Sequence, residues 1–229
     1  MENYTQLSSS SVASRAEFYK KTYTHVALGV LVFIIIETLF LRSEAITNFA
    51  LSLTEGSMWM LMLGGFMLAT SWGERMAVQS HDRNKQYLGY LIYIAAQAFI
   101  FVPMIYIAMS MSNGSALIEQ AAILTLALFG GLSLTVFVTK KDFSFLRSAL
   151  TIGSFIALGL IVAGLLFGFD LGLWFSVGMV VLAAGSILYQ TSNLVHKYSE
   201  DQYVAAALGL FASLMLLFWY ILRIVMSRD

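Results

Sequence analysis

The sequence predicts an all-α membrane protein, a bundle of seven transmembrane helices with its N-terminus in the cytoplasm and its C-terminus on the outer side. Seven apolar stretches are each long enough to cross a bilayer, which takes about 20 helical residues. Charged residues make up only 11% of the 229 residues and hydrophobic residues 59%, whereas a soluble domain usually carries about 25% charged residues. The mean hydropathy of +0.79 agrees with this class. The basic residues, in addition, fall on alternate loops.

The predicted crossings are helical and are separated by short polar links. Helices are required because an open strand would leave backbone groups without hydrogen bonds in lipid. No soluble catalytic domain fits in the sequence that remains. We expect a transmembrane domain over 23–225, with crossings at about 23–41, 57–73, 87–110, 116–139, 146–168, 173–194 and 203–225.

The segments that flank the crossings also carry predictions. Residues 1–22 are polar and rich in serine. We expect a flexible cytoplasmic tail there and an uncleaved first helix, since a signal peptide would place its apolar core in this segment. Residues 45–56 are predicted to form an interfacial helix or the first turns of the second crossing, which is the shortest of the seven. Residues 226–229 form a short outer end.

Glycines mark the end of the fifth crossing. Gly164, Gly168 and Gly172 are spaced four residues apart. Small residues at this spacing let neighbouring helices approach closely. The spacing therefore predicts a helix-packing face.

The basic residues set the predicted orientation, because cytoplasmic loops carry the excess of Lys and Arg. Three basic residues, Arg42, Arg223 and Arg228, lie on one side of the predicted bundle. The other ten lie in the tail and in the second, fourth and sixth loops: Arg15, Lys20, Lys21, Arg75, Arg83, Lys85, Lys140, Lys141, Arg147 and Lys197. The tail and these three loops are therefore predicted to be cytoplasmic.

Ionisable residues inside a membrane are costly, so each is a candidate functional residue. Glu37 lies about one turn from the outer end of the first crossing, where it can reach the interface or pair with Arg42. Glu119 lies in the first turn of the fourth crossing, where the helix dipole favours a carboxylate. Arg223 lies in the last turn of the seventh crossing and can extend outward to the interface. The deep polar residues are neutral: Gln97, Ser133, Ser154, Ser186, Gln190 and Ser213.

Several classes of site have no support in the sequence. There are no cysteines, which excludes disulfides and thiolate chemistry. His25, His81 and His196 are far apart and lie near the predicted membrane surfaces. The serine–histidine or paired-aspartate pattern of an intramembrane protease is not present. We therefore expect no enzyme, no catalytic residues, no cofactor and no metal, and the net charge of zero gives no indication of nucleic-acid binding.

The last two crossings carry a more specific pattern. The run GSILYQTSNLVHKYSEDQYVAAALGLFASLMLLFWYILRI, at 185–224, resembles the C-terminal signature of the Bax inhibitor family. Members of this family are seven-helix membrane proteins with the transmembrane Bax inhibitor motif. The segment EFYKKTYTHVALGVLV, at 17–32, resembles the beginning of the family's first helix.

Within the family, the sequence is most similar to the bacterial YccA-type branch, in ILYQTSNLVH, in VTKKDFSFL and in the closing SRD. This resemblance implies a protein of the bacterial inner membrane, with its C-terminus in the periplasm. It also implies a partner, the FtsH-type ATP-dependent membrane protease, whose degradation of membrane-protein substrates the protein would slow. The tail would be the part presented to the protease. The alternative is a calcium or proton leak, with Glu37 and Glu119 as the membrane-embedded acids, and a structural membrane scaffold is the third possibility.

The resemblance also identifies positions that differ from the wider family. Calcium-leak members carry two facing aspartates, in the sixth and seventh helices, and such close carboxylates share a proton and respond to pH. The matching residues here are Gln190 and Ser213, which cannot ionise. We expect them to form a hydrogen bond that holds the two helices in register. Arg75 matches the basic residue that pairs with these aspartates in channel members, and Asn193 is a further polar candidate.

Overall fold

The computed structural model describes residues 2–56 and 58–228, with side chains from residue 13 onward. The described residues form eight α-helices and no strands. The helices are α1 (Glu2–Arg42), α2 (Glu44–Ser52), α3 (Met58–Gln79), α4 (Arg83–Ser110), α5 (Gly114–Thr139), α6 (Leu146–Phe167), α7 (Gly172–His196) and α8 (Tyr203–Met226). Each predicted crossing coincides with one of the seven longer helices. The short α2 occupies the segment predicted as interfacial.

Six of the helices are long and apolar enough to cross a membrane: the part of α1 from Ala13 to Arg42, and α4, α5, α6, α7 and α8. The protein is therefore a multi-pass membrane protein. The helix α3 has 22 residues but is not among the six, and its second half contains Glu74 and Arg75. A total of seven crossings, and the side of the membrane on which each terminus lies, remain predictions.

The helix α8 lies at the centre of the bundle. Fifteen of its 24 residues are buried, and it packs against α1, α3, α4, α5 and α7. Its first two turns contain three consecutive alanines, 205–207, which let neighbouring helices approach closely. By contrast, α6 lies at the edge of the bundle, where it packs on α7 and buries only Ala157. The bundle is therefore tight around α8 and open on the side of α6.

The helices α3 and α4 approach each other closely. A Cβ atom on Gly73 would lie 2.7 Å from the carbonyl oxygen of Gly89, and one on Gly89 would lie 2.5 Å from the carbonyl oxygen of Gly73. The two backbones therefore touch where neither residue has a side chain. This contact holds α3 in the bundle although its second half is charged.

The glycines at the end of α6 have a different role from the predicted helix packing. Gly168 follows the last residue of α6 with φ of 70°, and Gly172 begins α7 with φ of 66°. Both values lie in the left-handed region, which residues with a Cβ atom disfavour. Their spacing therefore reflects a turn between two helices, and the packing interpretation was wrong for these two residues.

The predicted tail, 1–22, also differs from the structure. The helix α1 begins at Glu2, so the first crossing continues without a break into this segment. Phe18 and Thr22 are 1% and 0% exposed. One face of residues 13–22 is thus packed in the bundle, where the ring of Tyr19 lies 5.3 Å from that of Phe137 in α5.

Candidate functional site

The two positions that match the family's aspartates lie at the contact between α7 and α8, although they do not bond to each other. The Ser213 hydroxyl donates a hydrogen bond to the carbonyl of Gly209 (2.9 Å) and lies 2.8 Å from the hydroxyl of Ser186. Since Ser213 donates to Gly209, it accepts from Ser186. Gln190 lies one turn further along α7, over Gly209, where a Cβ atom would be 2.9 Å from its Oε1 atom. The predicted Gln190–Ser213 bond is thus replaced by the pairs Ser186–Ser213 and Gln190–Gly209.

A second polar group lies between α1, α5 and α7. The hydroxyl of Tyr23 faces those of Ser133 and Thr191, and none of the three atoms has a hydrogen bond of ordinary geometry. The Tyr23 ring is held by Phe129 and Phe137, with centroids 6.1 and 5.8 Å away. The sequence pattern does not indicate this cluster, since its members come from three distant segments.

Asn193 is buried near the C-terminal end of α7. Its exposed fraction is 8%, and its Oδ1 atom has no hydrogen-bond partner among the described residues. Its backbone carbonyl accepts hydrogen bonds from the amides of Lys197 and Tyr198, which end the helix. Asn193 therefore belongs to the polar C-terminal end of α7 and does not join the Ser186–Ser213 pair.

Glu37 lies inside the bundle. It is 5% exposed, and neither carboxylate oxygen has a hydrogen-bond partner in the described part of the chain. The predicted pairing with Arg42 was therefore wrong. Phe33 and Phe40, one turn on either side of Glu37, contact aromatic rings of α4 at 5.3 and 6.3 Å. These contacts turn the Glu37 face of α1 toward α4 and away from the lipid.

The remaining charged candidates lie apart from these groups. Glu119 and Arg75 are exposed on α5 and α3, and the structure brings neither of them to Gln190 or Ser213. Arg223 lies in the last turn of α8, and its Nη2 atom is 3.4 Å from Oδ1 of Asp170. In the described ranges, 2–56 and 58–228, no three His, Cys, Asp or Glu side chains are grouped so that they can hold a metal ion.

The structure shows a further site that the sequence pattern did not indicate, which we call the N-terminal anchor: Ser14, Arg15 and Phe18. Arg15 donates hydrogen bonds to the carbonyls of Val195 (2.8 Å) and Tyr198 (2.9 Å). Ser14 donates to the carboxylate of Glu200 at 2.7 Å, and the Arg15 guanidinium lies 5.8 Å from the centre of the Phe18 ring. The last carbonyls of a helix have no partner within the helix and attract a positive charge. Arg15 therefore caps the C-terminus of α7 from a distant segment.

Two further contacts join loops at the same end of the bundle. Arg83 donates to the carbonyl of Asp201 (2.8 Å) and lies 4.5 Å over the ring of Tyr203. Ser192 donates to Asp142 at 3.2 Å and accepts a hydrogen bond from the amide of Phe143. Together with the N-terminal anchor, these contacts bring the N-terminal segment and the second, fourth and sixth predicted loops to one end. The alternation of basic residues requires this arrangement.

Hydrogen bonds also stabilise the ionised form of Asp142, in the loop between α5 and α6. The Ser144 hydroxyl and backbone amide both donate to Asp142 Oδ1, the amide at 2.8 Å. These bonds favour the ionised form and hold the pKa of the Asp142 carboxyl below its usual range, with smaller contributions from Ser192 and Lys197. Asp142 is therefore a carboxylate that closes a turn and fastens it to α7.

Comparison with known proteins gives a consistent result. A family model described as "Inhibitor of apoptosis-promoting Bax1" matches residues 15–229. The chain is 28% identical to the protein lifeguard 4 of Mus musculus over 222 residues, which is 95% of this chain and 87% of that protein. It is 33% identical to the Golgi anti-apoptotic protein of vaccinia virus (strain Lister) over 112 residues, 47% of this chain and 46% of that protein.

A bacterial relative matches over a shorter region. The Pseudomonas aeruginosa protein PA2604 is 37% identical over 123 residues, 53% of this chain. The match spans 55% of that protein's length. Since the family model covers nearly the whole sequence and the lifeguard 4 match runs through 95% of it, the chain belongs to the Bax inhibitor family.

Proposed function

We propose that this protein binds the FtsH-type ATP-dependent membrane protease in the bacterial inner membrane and slows the degradation of membrane-protein substrates. It would act as a partner of the protease and have no catalytic activity of its own. Membership of the Bax inhibitor family supports a membrane-embedded role. The resemblance of ILYQTSNLVH and VTKKDFSFL to the YccA-type branch supports the choice of partner.

The N-terminal anchor is the observation that carries this proposal. A protease that pulls on the N-terminal end of α1 meets the anchor at the beginning of the first membrane helix. It must then break both hydrogen bonds from Arg15 to the end of α7 and withdraw Phe18, which is 1% exposed. Hydrogen bonds to a charged group are worth about 1.5–3 kcal/mol each. In our proposal the protease engages this segment, fails to extract the bundle and is thereby kept from other substrates.

The test compares the half-life of a membrane substrate of FtsH in cells that produce different forms of this protein at equal membrane levels. The variants are the full-length chain and a chain without residues 2–12, the part of α1 that precedes the anchor. A longer substrate half-life with the full-length chain alone supports the proposal. No change in half-life with the full-length chain contradicts it.

A calcium or proton leak remains the second candidate, because Glu37 is a buried carboxyl group with no hydrogen-bond partner among the described side chains and backbone. Ionisable groups inside membrane proteins mark ion and proton pathways. Glu119, the second acid of this hypothesis, is exposed and lies on a different helix. Flux in liposomes separates the two functions: Glu37→Gln changes a leak and spares protease modulation, whereas removal of residues 2–12 does the reverse.

A further inference from the structure

A groove opens on the side of the bundle where α6 stands apart. It has a volume of about 660 Å³ and lies between α3 and α6, with α4, α7 and α8 behind it. This volume falls within the range of about 300–1,000 Å³ that is typical of small-molecule sites. The lining is mostly apolar, with Leu63, Ala157, Met179 and Leu216 among its side chains. An apolar groove that opens sideways from a membrane helix bundle faces lipid.

The groove is open because its two walls pack on different helices. The helix α3 is held against α4 by the contact of Gly73 with Gly89, while α6 packs on α7. Gly64, on the groove side of α3, has no atom within 4 Å of the position that a Cβ would take. The groove between α3 and α6 is therefore unfilled beside Gly64.

The length of the groove corresponds to one leaflet. Gly164, near the end of α6, and Ser154, in its middle, both line it. Ten residues of helix span about 15 Å, which is half of the roughly 30 Å hydrocarbon core. Gln97, at the middle of α4, also lines the groove. The groove thus runs from one membrane surface to about the midplane.

The end of the groove beside the last turn of α8 and the α6–α7 turn, which we call its mouth, carries one positive and one negative side chain. Arg223 and Asp170 both line it, with Nη2 and Oδ1 3.4 Å apart. The side chains are 38% and 83% exposed, so both can reach a further partner. This is the one contact that Arg223 makes through its side-chain nitrogens to described residues. Trp59 and Trp219 also line the groove, and tryptophan is enriched at the level of lipid headgroups.

We propose that this groove binds a phospholipid with a zwitterionic, primary-ammonium headgroup, of the phosphatidylethanolamine class. One acyl chain occupies the apolar groove. The Arg223 guanidinium donates hydrogen bonds to the phosphate, which suits its planar donor geometry. Asp170 accepts hydrogen bonds from the ammonium group. The pair of opposite charges at the mouth is complementary to a headgroup that itself carries one charge of each sign, and this complementarity favours phosphatidylethanolamine over a purely anionic lipid.

The test uses native mass spectrometry of the purified full chain in detergent, titrated with palmitoyl-oleoyl phosphatidylethanolamine, phosphatidylcholine or phosphatidylglycerol. We expect the ethanolamine lipid to bind at least about threefold more than the other two, since a quaternary choline cannot donate to Asp170 and glycerol carries no positive charge. Arg223→Gln should weaken phospholipid binding by about fivefold or more. Asp170→Asn should remove the preference for ethanolamine and leave phosphatidylglycerol binding equal or stronger.

Matched controls separate the groove from the general membrane surface. Gly64→Leu fills the groove and should abolish retained lipid, whereas Gly65→Leu adds the same bulk on the neighbouring face, where a Cβ also has no atom within 4 Å, and should have no effect. Arg228→Gln, outside the groove, is the control for loss of charge. Equal binding of the three lipids, or lipid retention that survives Gly64→Leu, overturns the proposal. Dimers that disappear in Gly64→Leu, with no bound lipid, overturn it in favour of a second copy of the chain.

Discussion

The guanidinium of Arg15 donates a 2.8 Å hydrogen bond to the backbone carbonyl of Val195, a residue 180 positions later in the chain. The carbonyl belongs to the last turn of α7, where it has no partner within the helix. The second hydrogen bond, to the carbonyl of Tyr198, fixes the guanidinium between helix and loop. The beginning of the first crossing is thereby attached to the connection between the last two helices.

Replacement of Arg15 should loosen the N-terminal end of the bundle. Arg15→Gln removes a charged donor from two carbonyls, and we expect the free energy of unfolding to fall by about 1–3 kcal/mol. If the protease pulls on α1, the variant should itself be degraded faster than the unchanged chain. Pulse-chase measurement of its half-life, with and without the protease, checks this. Lys20→Gln, an exposed neutralisation on the same helix, is the control, and equal half-lives of the two variants would contradict the role of the anchor.

The contact of Gln190 with Gly209 should be detectable as a coupling energy. Gly209→Ala places a Cβ atom 2.9 Å from Gln190 Oε1. The end of the Gln190 side chain must then shift, which we expect to cost less than the roughly 1–3 kcal/mol of a rigid overpacked contact. Gln190→Ala removes the obstacle, so the double variant should recover most of the lost stability. Thermal melting in detergent, analysed as a double-mutant cycle, gives the coupling. Additive effects of the two changes would show that the side chains do not meet.

The contact of α3 with α4 should tolerate no added carbon. Gly73→Ala places a Cβ atom 2.7 Å from a backbone oxygen, which cannot move without separating the helices. We expect a loss of about 1–3 kcal/mol, seen as a lower melting temperature. Gly65→Ala adds the same atom on the same helix in open space and should leave the melting temperature equal or higher, because alanine favours the helix. A similar result for both variants would place the two helices further apart than described here.

Protonation of Asp142 should release the loop between α5 and α6. Its pKa lies below the ordinary value of 3.8 because Ser144 donates to the carboxylate. A folded-state pKa that is lowered gives a contribution to stability that is present above the unfolded pKa and is lost as the pH falls through the folded pKa. The protection of the loop amides against hydrogen exchange, corrected for the pH dependence of the intrinsic exchange rate, should therefore be constant at roughly pH 5–7 and fall below about pH 4. Asp142→Asn should show no such transition, and a transition that persists in this variant would assign it to another group.

Replacement of Glu37 should stabilise the protein. A buried carboxylate whose oxygens have no hydrogen-bond partner is costly. Glu37→Gln keeps the shape and removes the cost of burying an ionisable carboxyl group, so we expect a gain of about 1 kcal/mol in the free energy of unfolding at neutral pH. The melting temperature checks this, with exposed Glu119→Gln as the control. A lower melting temperature for Glu37→Gln would show that the carboxylate has a partner in the membrane, and would strengthen the leak hypothesis.

Hydropathy was sufficient to predict where the helices lie, because a helix in lipid must be apolar along about 20 residues. It was weaker for α3, where Glu74 and Arg75 interrupt the apolar run. Composition also predicted a flexible tail at residues 1–22. It could not show that other helices cover Phe18 or that Arg15 binds the end of α7.

Pairings within the membrane were harder to predict than positions. The family resemblance placed Gln190 and Ser213 at one helix contact, which they share, but their partners depend on the register of α7 against α8. A shift of α7 by one helical turn along α8 would bring Gln190 to the position beside Ser213 that Ser186 occupies. The position of Glu37 along the first crossing likewise predicted a residue near the interface. Its burial depends instead on the face of α1 that packs against α4, which the contact of Phe33 with Phe101 sets.

The most direct test of the proposed function is the rate at which purified FtsH-type protease degrades a membrane substrate in proteoliposomes, with this protein present or not. Our account predicts that the full-length chain binds the protease and slows substrate degradation, that the chain without residues 2–12 does neither, and that Arg15→Gln slows it only until the variant is itself degraded. An unchanged degradation rate with a saturating amount of the full-length chain would contradict the account.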